Sequence, residues 1–204
     1  MAIQREQIVA AALKLLDEKG IEGLSLRRLA QDLAIQAPSL YWHFANKQAV
    51  IEAVANALLE DVAREVPADL DWRATCTLIS DELRQALKSR RDGARVLAAA
   101  YVVADNVLRP GEVMIAALVR AGADIGFAAT SAFSVFHYVL GLVTVEQSLG
   151  GEEAANHGTA FQIQAQGDFP HVLQARGVLM SGDFDSLFSS GLSLMLDGIA
   201  LRLS

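Results

Sequence analysis

Four side chains that can stack or form hydrogen bonds lie within two helical turns of one another. They are Ser39, Tyr41, Trp42 and His43, and they directly follow Pro38. Hydroxyl, aromatic and imidazole groups on one short helix are suited to contacting phosphates and base edges of DNA. The first question is therefore which elements would present such a helix to a DNA groove.

The residues before this group predict a first helix and a tight turn. Ser25 can cap a helix in which Leu26, Leu29 and Leu33 fall on one face. Residues 34–36 then form the turn, and Pro38 lies in the first turn of the next helix, where its missing N–H costs nothing. The second helix, predicted to end at Phe44, is too short to be stable alone in water. These elements predict a helix-turn-helix over residues 25–44, which the rest of a small domain must stabilise.

These segments resemble one known family. The run PSLYWHFANKQAVIEAV, preceded by GIEGLSLRRLAQDLAI, is similar to the N-terminal domain of the tetracycline-repressor (TetR/AcrR) family over residues 3 to about 60. SRRDGARV at 89–96 resembles the start of the regulatory domain of the tetracycline repressors. The resemblance implies an all-α fold with a three-helix DNA-binding domain at 1–62 and a larger helical effector-binding and dimerisation domain at 67–204.

The resemblance also implies roles in DNA binding. Arg27 is expected to reach a guanine edge, whereas Tyr41, His43 and Lys47 are expected at phosphates. The family's base-reading glutamine is replaced by Ala37, so the operator should differ. The alternative for the arginines and Lys47 is that they are solvated surface charges. The alternative for Tyr41, Trp42 and His43 is packing, and we expect Trp42 to be partly packed. The full set of candidates is Ser25, Arg27, Arg28, Gln36, Ala37, Ser39, Leu40, Tyr41, Trp42, His43 and Lys47.

The effector site departs from the pattern of the tetracycline repressors, which bind a drug–magnesium chelate. Their metal-binding histidine aligns with Leu97, which cannot bind magnesium. We therefore expect no metal and no cofactor, and an apolar cavity for a hydrophobic or aromatic effector. The aligned positions are Ala63, Ile79, Leu97, Ala100, Tyr101, Met114 and Val145. The candidate effector residues are Leu83, Leu97, Tyr101, Asn106, Met114, His137 and Val145, with Thr144, Glu146 and Gln147 as further polar anchors. The alternative for His137 is a core or interface histidine.

Composition limits the class of protein. The chain has 204 residues, 52% hydrophobic and 20% charged, and a net charge of −7. Residues 1–50 carry a net charge of +1 and the remainder −8, which would turn the N-terminal part towards phosphate. The single cysteine, Cys76, excludes an internal disulfide. Arg5 and Glu6 interrupt any signal peptide, and the most apolar run, 127–145, contains His137. A cytoplasmic protein without a membrane partner is expected.

The hydrophobic pattern predicts helices throughout. The expected helices span 3–19, 46–66, 72–89, 92–104, 110–122, 127–149, 169–175 and 183–202, and residues 150–168 are expected to form a loop. Two helices near the C-terminus are apolar on more faces than a monomer can bury. We expect them to pair with a second copy, so that the homodimer recognises a palindromic operator in duplex DNA.

Rival functions find less support. The histidines, at 43, 137, 157 and 171, are scattered, and neither HExxH nor GxSxG occurs, so we expect no enzyme. A helical interaction module would not require the complete SLYWHF-x-NK run. The function expected is a repressor released by a hydrophobic effector, with a transcriptional activator of the same family as the alternative.

Overall fold

The computed structural model describes residues 3–100, 103–149, 169–179 and 181–203. Within these ranges the secondary structure is helical without strands, which confirms the all-α fold class. The helices are α1 Arg5–Gly23, α2 Leu26–Asp32, α3 Ala37–Tyr41, α4 Lys47–Leu58, α5 Trp72–Lys88, α6 Gly93–Ala99, α7 Asp105–Arg120, α8 Ile125–Ser148, α9 Pro170–Gln174, α10 Arg176–Leu179 and α11 Phe184–Leu203.

Helices α1–α4 form the head. Their ends are fixed by the predicted caps: Ser25 Oγ accepts from the Arg28 backbone N–H at 3.3 Å, and Asn46 Oδ1 accepts from that of Ala49 at 2.9 Å. Gly20 has φ +68°, which ends the regular part of α1 at the predicted place. The large side chains of the head core come from predicted apolar positions on α1, α2 and α4, and also from Leu40 and Phe44, which were not predicted to be buried. The fully buried ones include Ile8, Leu16, Leu29, Leu40, Phe44 and Val54.

Helices α5–α11 form the body. Helix α5, capped by Asp71, packs on α6, α7 and α8, and α8 packs on α11. The centre of the body is apolar, with Ile79, Leu83, Met114 and Val139 almost completely buried. The predicted division into domains at 1–62 and 67–204 stays a prediction, and the expected loop at 150–168 lies outside the described residues.

The predicted end of α4 was wrong. The helix stops at Leu58 and not at Val66, because the following turns bury Leu59, Val62 and Ala63 in another way. Ala63 adopts φ +55° and its N–H donates to Glu82 Oε2 at 2.7 Å. Val62, which was predicted for the apolar face of a longer helix, is thus buried in a folded connector after α4.

The predicted bounds of α6 and α7 were also wrong. Helix α6 ends at Ala99, five residues early, and α7 begins at Asp105, so Pro110 lies inside a helix and not at its start. A proline there forfeits the hydrogen bond to the carbonyl of Asn106. Pro110 is buried, so packing of its ring against the body offsets part of that loss.

Two helices remain apolar where they face solvent. By length and composition alone, Ile125–Ser148 and Phe184–Leu203 could cross a membrane, with mean hydropathies of 1.5 and 1.2. Only 33% and 22% of their most apolar windows are buried. Phe133, Val145 and Leu194 are 49%, 49% and 74% exposed on these helices, so each helix has an apolar face that the single chain leaves uncovered.

Candidate nucleic-acid interface and effector site

The turn between α2 and α3 holds the two helices at a fixed angle. Ala34 adopts φ +52°, and the N–H of Ile35 bonds back to the carbonyl of Ala30 at 3.0 Å. Pro38 lies in the first turn of α3 as predicted. Leu29 and Leu40 are fully buried beneath the two helices. The exposed side of α3 is therefore a rigid surface carried on the head core.

The exposed surface of the helix-turn-helix brings most candidate residues together. Arg27 and Gln36 are exposed, Tyr41 is 57% and Trp42 90% exposed, and the accessible fractions of Ser25, Ala37, Ser39 and His43 are intermediate. Two expectations were wrong. Trp42 is not packed, because it lies past the end of α3 on the solvent side. Leu40 cannot contact DNA in this conformation, because its side chain is fully buried.

The three candidate cations of the interface, Arg27, Arg28 and Lys47, divide into two groups. Lys47 Nζ donates to the carbonyl of Ile21 at 3.2 Å, and Arg28 Nη1 donates to that of Gly23 at 3.1 Å. Both side chains therefore satisfy carbonyls at the end of α1. Arg27 is exposed, and within the described ranges its guanidinium has no hydrogen bond or ion pair. Of these three cations, Arg27 keeps every donor available to DNA.

Arg5 supports the recognition helix and was not anticipated from the sequence. Its Nη1 donates to the carbonyl of His43 at 3.0 Å, and its guanidinium lies 4.3 Å from the centre of the Phe44 ring. A cation at the C-terminal end of a short helix satisfies carbonyls left without helical partners. No local sequence signal connects positions 5 and 43, so only the fold could reveal this contact.

A set of polar contacts joins the head to the body, and we call it the clasp. Arg90 Nη1 meets Asp17 Oδ2 at 2.5 Å, and Arg95 Nη2 meets Glu22 Oε1 at 2.8 Å. The Ile21 N–H donates to Asp92 Oδ2 at 2.9 Å. The clasp therefore joins the end of α1 to the SRRDGARV segment.

A second connection, the α4–α7 junction, lies at the other end of the connecting helix. The backbone N–H of Asn106 donates to Asn56 Oδ1 at 3.2 Å, and its Nδ2 donates to the Asn56 carbonyl at 2.9 Å. Arg109 Nη1 donates to the carbonyl of Glu60 at 2.9 Å, just past the end of α4. Clasp and junction hold the head on the body together with the packing of α4 on α6.

The predicted effector residues separate into a core group and a surface group. Leu83, Leu97 and Met114 meet in the body core beside Ile79, all at most 5% exposed. Ala63 is also buried, and Ala100 is partly accessible. Asn106 lies instead at the α4–α7 junction, and Tyr101 is outside the described residues.

His137 and Val145 do not line that core, and their role at the effector site stays a prediction. Both are exposed on the outer side of α8, whereas Val139 and Val143 face the core. Each residue turns a helix by about 100°, so neighbours two positions apart point to different sides. His137 lies beside the Phe133 and Phe136 rings, with centroids 6.2 and 6.1 Å away.

The three further polar anchors are engaged in structural contacts. Thr144 Oγ1 donates to the carbonyl of Leu140 at 2.7 Å, and Gln147 Nε2 donates to those of Leu87 and Arg90 at 3.0 and 2.9 Å. Glu146 pairs with Arg84 and Lys88 of α5. These groups position α8 on α5 and α6.

Arg84, whose side chain is 11% exposed, forms an ion-pair network that was not predicted and that extends to the exposed Asp185. Its Nη2 lies 3.1 Å from Glu146 Oε2 and its Nη1 2.6 Å from Asp185 Oδ1, while Lys88 Nζ lies 2.5 Å from Glu146 Oε1. Burial lowers the pKa of the Arg84 guanidinium, but hydrogen bonds to Asp185 and Glu146 outweigh that effect and raise its pKa overall. The network joins α5 to α8 and α11.

Two observations concern the reactive side chains of the described ranges. These ranges contain no group of three or more histidine, cysteine, aspartate or glutamate side chains arranged to hold a metal ion. Burial, with a smaller contribution from Asp71, raises the pKa of the Cys76 thiol to about 12. The thiol is therefore protonated near neutral pH and a poor nucleophile.

Two family models cover most of the chain. Residues 8–54 match "Bacterial regulatory proteins, tetR family", and residues 66–203 match "Tetracyclin repressor-like, C-terminal domain". The class A tetracycline repressor protein from transposon 1721 of Escherichia coli is 34% identical over 202 residues, 98% of this chain and 92% of that protein.

Solved structures agree with this match. BioQ in complex with its double-stranded DNA operator is 30% identical, with a TM-score of 0.73 over 98% of this chain and 99% of that one. TetR-Q116A from Acinetobacter baumannii in complex with minocycline is 30% identical, with a TM-score of 0.77 over 99% of both chains. The relatives are regulators and not enzymes. The chain belongs to the TetR family of bacterial transcriptional regulators, DNA-binding repressors like the tetracycline repressors.

Proposed function

We propose that this protein is a homodimeric repressor that binds a palindromic operator and is released by a hydrophobic small molecule. The observation that carries the proposal is the exposed surface of the helix-turn-helix. Arg27, Tyr41 and Trp42 are exposed there, and the buried side chains of Leu29 and Leu40 anchor the two helices beneath them. The relative bound to its operator and the relative bound to minocycline support DNA and ligand binding respectively. We expect the protein to act in the cytoplasm.

The uncovered apolar faces of α8 and α11 support the homodimer. Phe133 and Leu194 are exposed, and Gly141 and Gly198 have open space where a Cβ would project. Small residues beside large apolar ones allow two copies of the same face to interlock about a two-fold axis. The dimer presents two α3 helices to successive major grooves, about 34–36 Å apart.

Leu194→Arg tests the dimer. A charge on the α11 face is expected to give monomers in light scattering coupled to gel filtration. The matched control is Val103→Arg, because Val103 is 85% exposed but lies outside α8 and α11. Dimers that persist in Leu194→Arg, or are lost equally in both variants, would place the interface elsewhere.

The DNA contacts divide into base reading and phosphate binding. Arg27→Ala should relax base preference, because a bidentate contact to guanine is worth about 1–3 kcal/mol. Tyr41→Ala should abolish operator binding and leave the dimer intact. Lys47→Ala should lower the affinity for all DNA sequences by the same factor. Because Lys47 also donates to the Ile21 carbonyl, the stability of the head must be measured together with DNA affinity.

The effector can release the operator only if it binds the DNA-binding and the released conformations of the protein with different affinities. The coupling free energy between effector and operator is typically about 1–3 kcal/mol. The apolar core around Ile79, Leu83 and Met114 suits a hydrophobic or aromatic molecule, and Leu97 supplies no metal ligand. We place the response in the clasp and the α4–α7 junction, because these contacts hold the head on the body. A tilt of α4 would then move the two recognition helices out of register with the operator.

A fluorescence-anisotropy titration tests the function, using duplex from the DNA flanking the gene across a salt series. We expect specific binding with a steep negative salt slope, followed by release on addition of apolar ligands. No preference for any flanking duplex over random DNA would favour an interaction module. Specific binding that raises transcription from the adjacent promoter would identify an activator.

A further inference from the structure

A groove of about 530 Å³ lies between α1, α4 and the start of α7. Its size is within the range of small-molecule sites. One candidate effector residue, Asn106, lines it, whereas Leu83, Leu97 and Met114 of the body core do not: the walls come from the head helices and from Ala104 and Asn106 at the start of α7. The groove is therefore separate from that core.

The floor of the groove is apolar and built from small side chains. Helix α1 contributes Val9, Ala10 and Leu13, and α4 contributes Ala49, Ala53 and Ala57. Alanines spaced three to four residues apart on α4 share one face of that helix. Their methyl groups leave room for aromatic rings to lie against both helices.

The rim of the groove is acidic. Glu6, Glu52 and Glu60 line it together with a single cation, Arg5. The guanidinium of Arg5 is already engaged by the His43 carbonyl and the Phe44 ring. An apolar floor under a carboxylate rim is complementary to a hydrophobic ligand that carries positive charge.

The carboxylates keep capacity for a ligand. Glu52 Oε1 accepts only a long hydrogen bond of 3.4 Å from Gln48, and Glu60 faces Arg64 at 3.7 Å across solvent-exposed side chains. Surface pairs of this kind are worth little. The far wall is polar but rigid, because Asn56 and Asn106 are bonded to each other.

We propose that this groove is a binding site for hydrophobic organic monocations, distinct from the core effector site. The charge is held by Glu52 and Glu60, and the aromatic or aliphatic part rests on the alanine floor. A bound cation contacts α1 and α4 of the head and the start of α7 of the body at once.

Isothermal titration calorimetry with two ions of matched shape and opposite charge tests the proposal. Tetraphenylphosphonium is expected to bind at one site per chain, and tetraphenylborate is not expected to bind at the same concentration. The double variant Glu52→Gln/Glu60→Gln should weaken phosphonium binding by about 2- to 30-fold, from two exposed charge contacts. Glu112→Gln is the control, because Glu112 is exposed on α7 and does not line the groove.

Ala10→Trp blocks the groove directly. Ala10 is exposed on α1, so a larger side chain there fills the groove without entering the head core, and loss of phosphonium binding is expected. Equal binding of the two ions, or unchanged phosphonium affinity in both Ala10→Trp and the double glutamate variant, would overturn the proposal. Loss of binding in Met114→Trp alone would assign the cation to the core instead.

Discussion

Asp92 offers the sharpest test of how the head is held on the body. Its Oδ2 accepts the Ile21 N–H at 2.9 Å, its Oδ1 lies 3.3 Å from Arg95 Nη1, and its side chain is 18% exposed. Its backbone has φ +57°, a conformation that aspartate and asparagine tolerate better than alanine. Asp92 therefore combines a hydrogen bond to a buried donor with a backbone role.

Asp92→Ala removes both contributions. Leaving the N–H of the nearly buried Ile21 without its charged acceptor costs about 1.5–3 kcal/mol, and alanine in the left-handed region costs about 1 kcal/mol more. Asp92→Asn keeps an acceptor and the backbone tolerance, and loses only the half-exposed pair with Arg95, worth about 0–1 kcal/mol.

Urea and thermal unfolding at one fixed protein concentration measure the difference. We expect Asp92→Ala to lose about 2.5–4 kcal/mol of unfolding free energy, or roughly 5–16 °C in Tm for a chain of this size. Asp92→Asn should stay within about 1 kcal/mol of the parent protein. Similar losses in the two variants, or a loss below about 0.5 kcal/mol in Asp92→Ala, would refute this account of the clasp.

Three further predictions concern the body. Arg84→Met should lower the unfolding free energy by about 2 kcal/mol, because Glu146 keeps only Lys88 as a partner. Gly191→Ala should cost about 1–3 kcal/mol in urea unfolding, because the added Cβ would lie 2.2 Å from Tyr138 Oη and displace its hydrogen bond to the Leu187 carbonyl. Cys76 should not react with Ellman's reagent at pH 8 until the protein unfolds, because burial raises its thiol pKa to about 12.

Controls make these outcomes decisive. Gly111→Ala should be neutral or stabilising, because its Cβ would meet only Phe133 Cζ at 3.9 Å, and a loss equal to that of Gly191→Ala would contradict the steric argument. The folded pKa of Cys76 exceeds its ordinary value of 9.0, so its contribution to stability is complete below pH 9 and is lost between pH 9 and 12. The stability difference between the parent protein and Cys76→Ala should therefore shrink above pH 9; a constant difference would refute the raised pKa.

Local signals predicted much of the head and the start of α5 in the body. Ser25, Asn46 and Asp71 act as caps in the structure, because a cap depends on residues only two or three positions away. The end of α4 could not be predicted in this way, because Glu82 and Arg109, far along the chain, satisfy the connector that follows it.

Side-chain placement on long helices was harder to predict than helix positions. Helix α8 is apolar on nearly all sides, so its pattern does not show which side faces the core, and it could not show that His137 and Val145 lie on the outer side. Charged contacts such as Asp17 with Arg90 join residues 73 positions apart, and no periodicity reports them. These contacts belong to the tertiary packing.

The makeup of the clasp changes how a salt titration of operator binding should be interpreted. Its charged side chains are substantially exposed, with Asp17 at 37%, Arg90 at 41% and Glu22 at 81%, so added salt screens the clasp as well as the DNA phosphates. The slope of log affinity against log salt concentration then combines release of counterions with loosening of the head. A count of phosphate contacts taken from that slope would exceed the number actually made, unless it is corrected with a variant whose clasp carries no ion pairs.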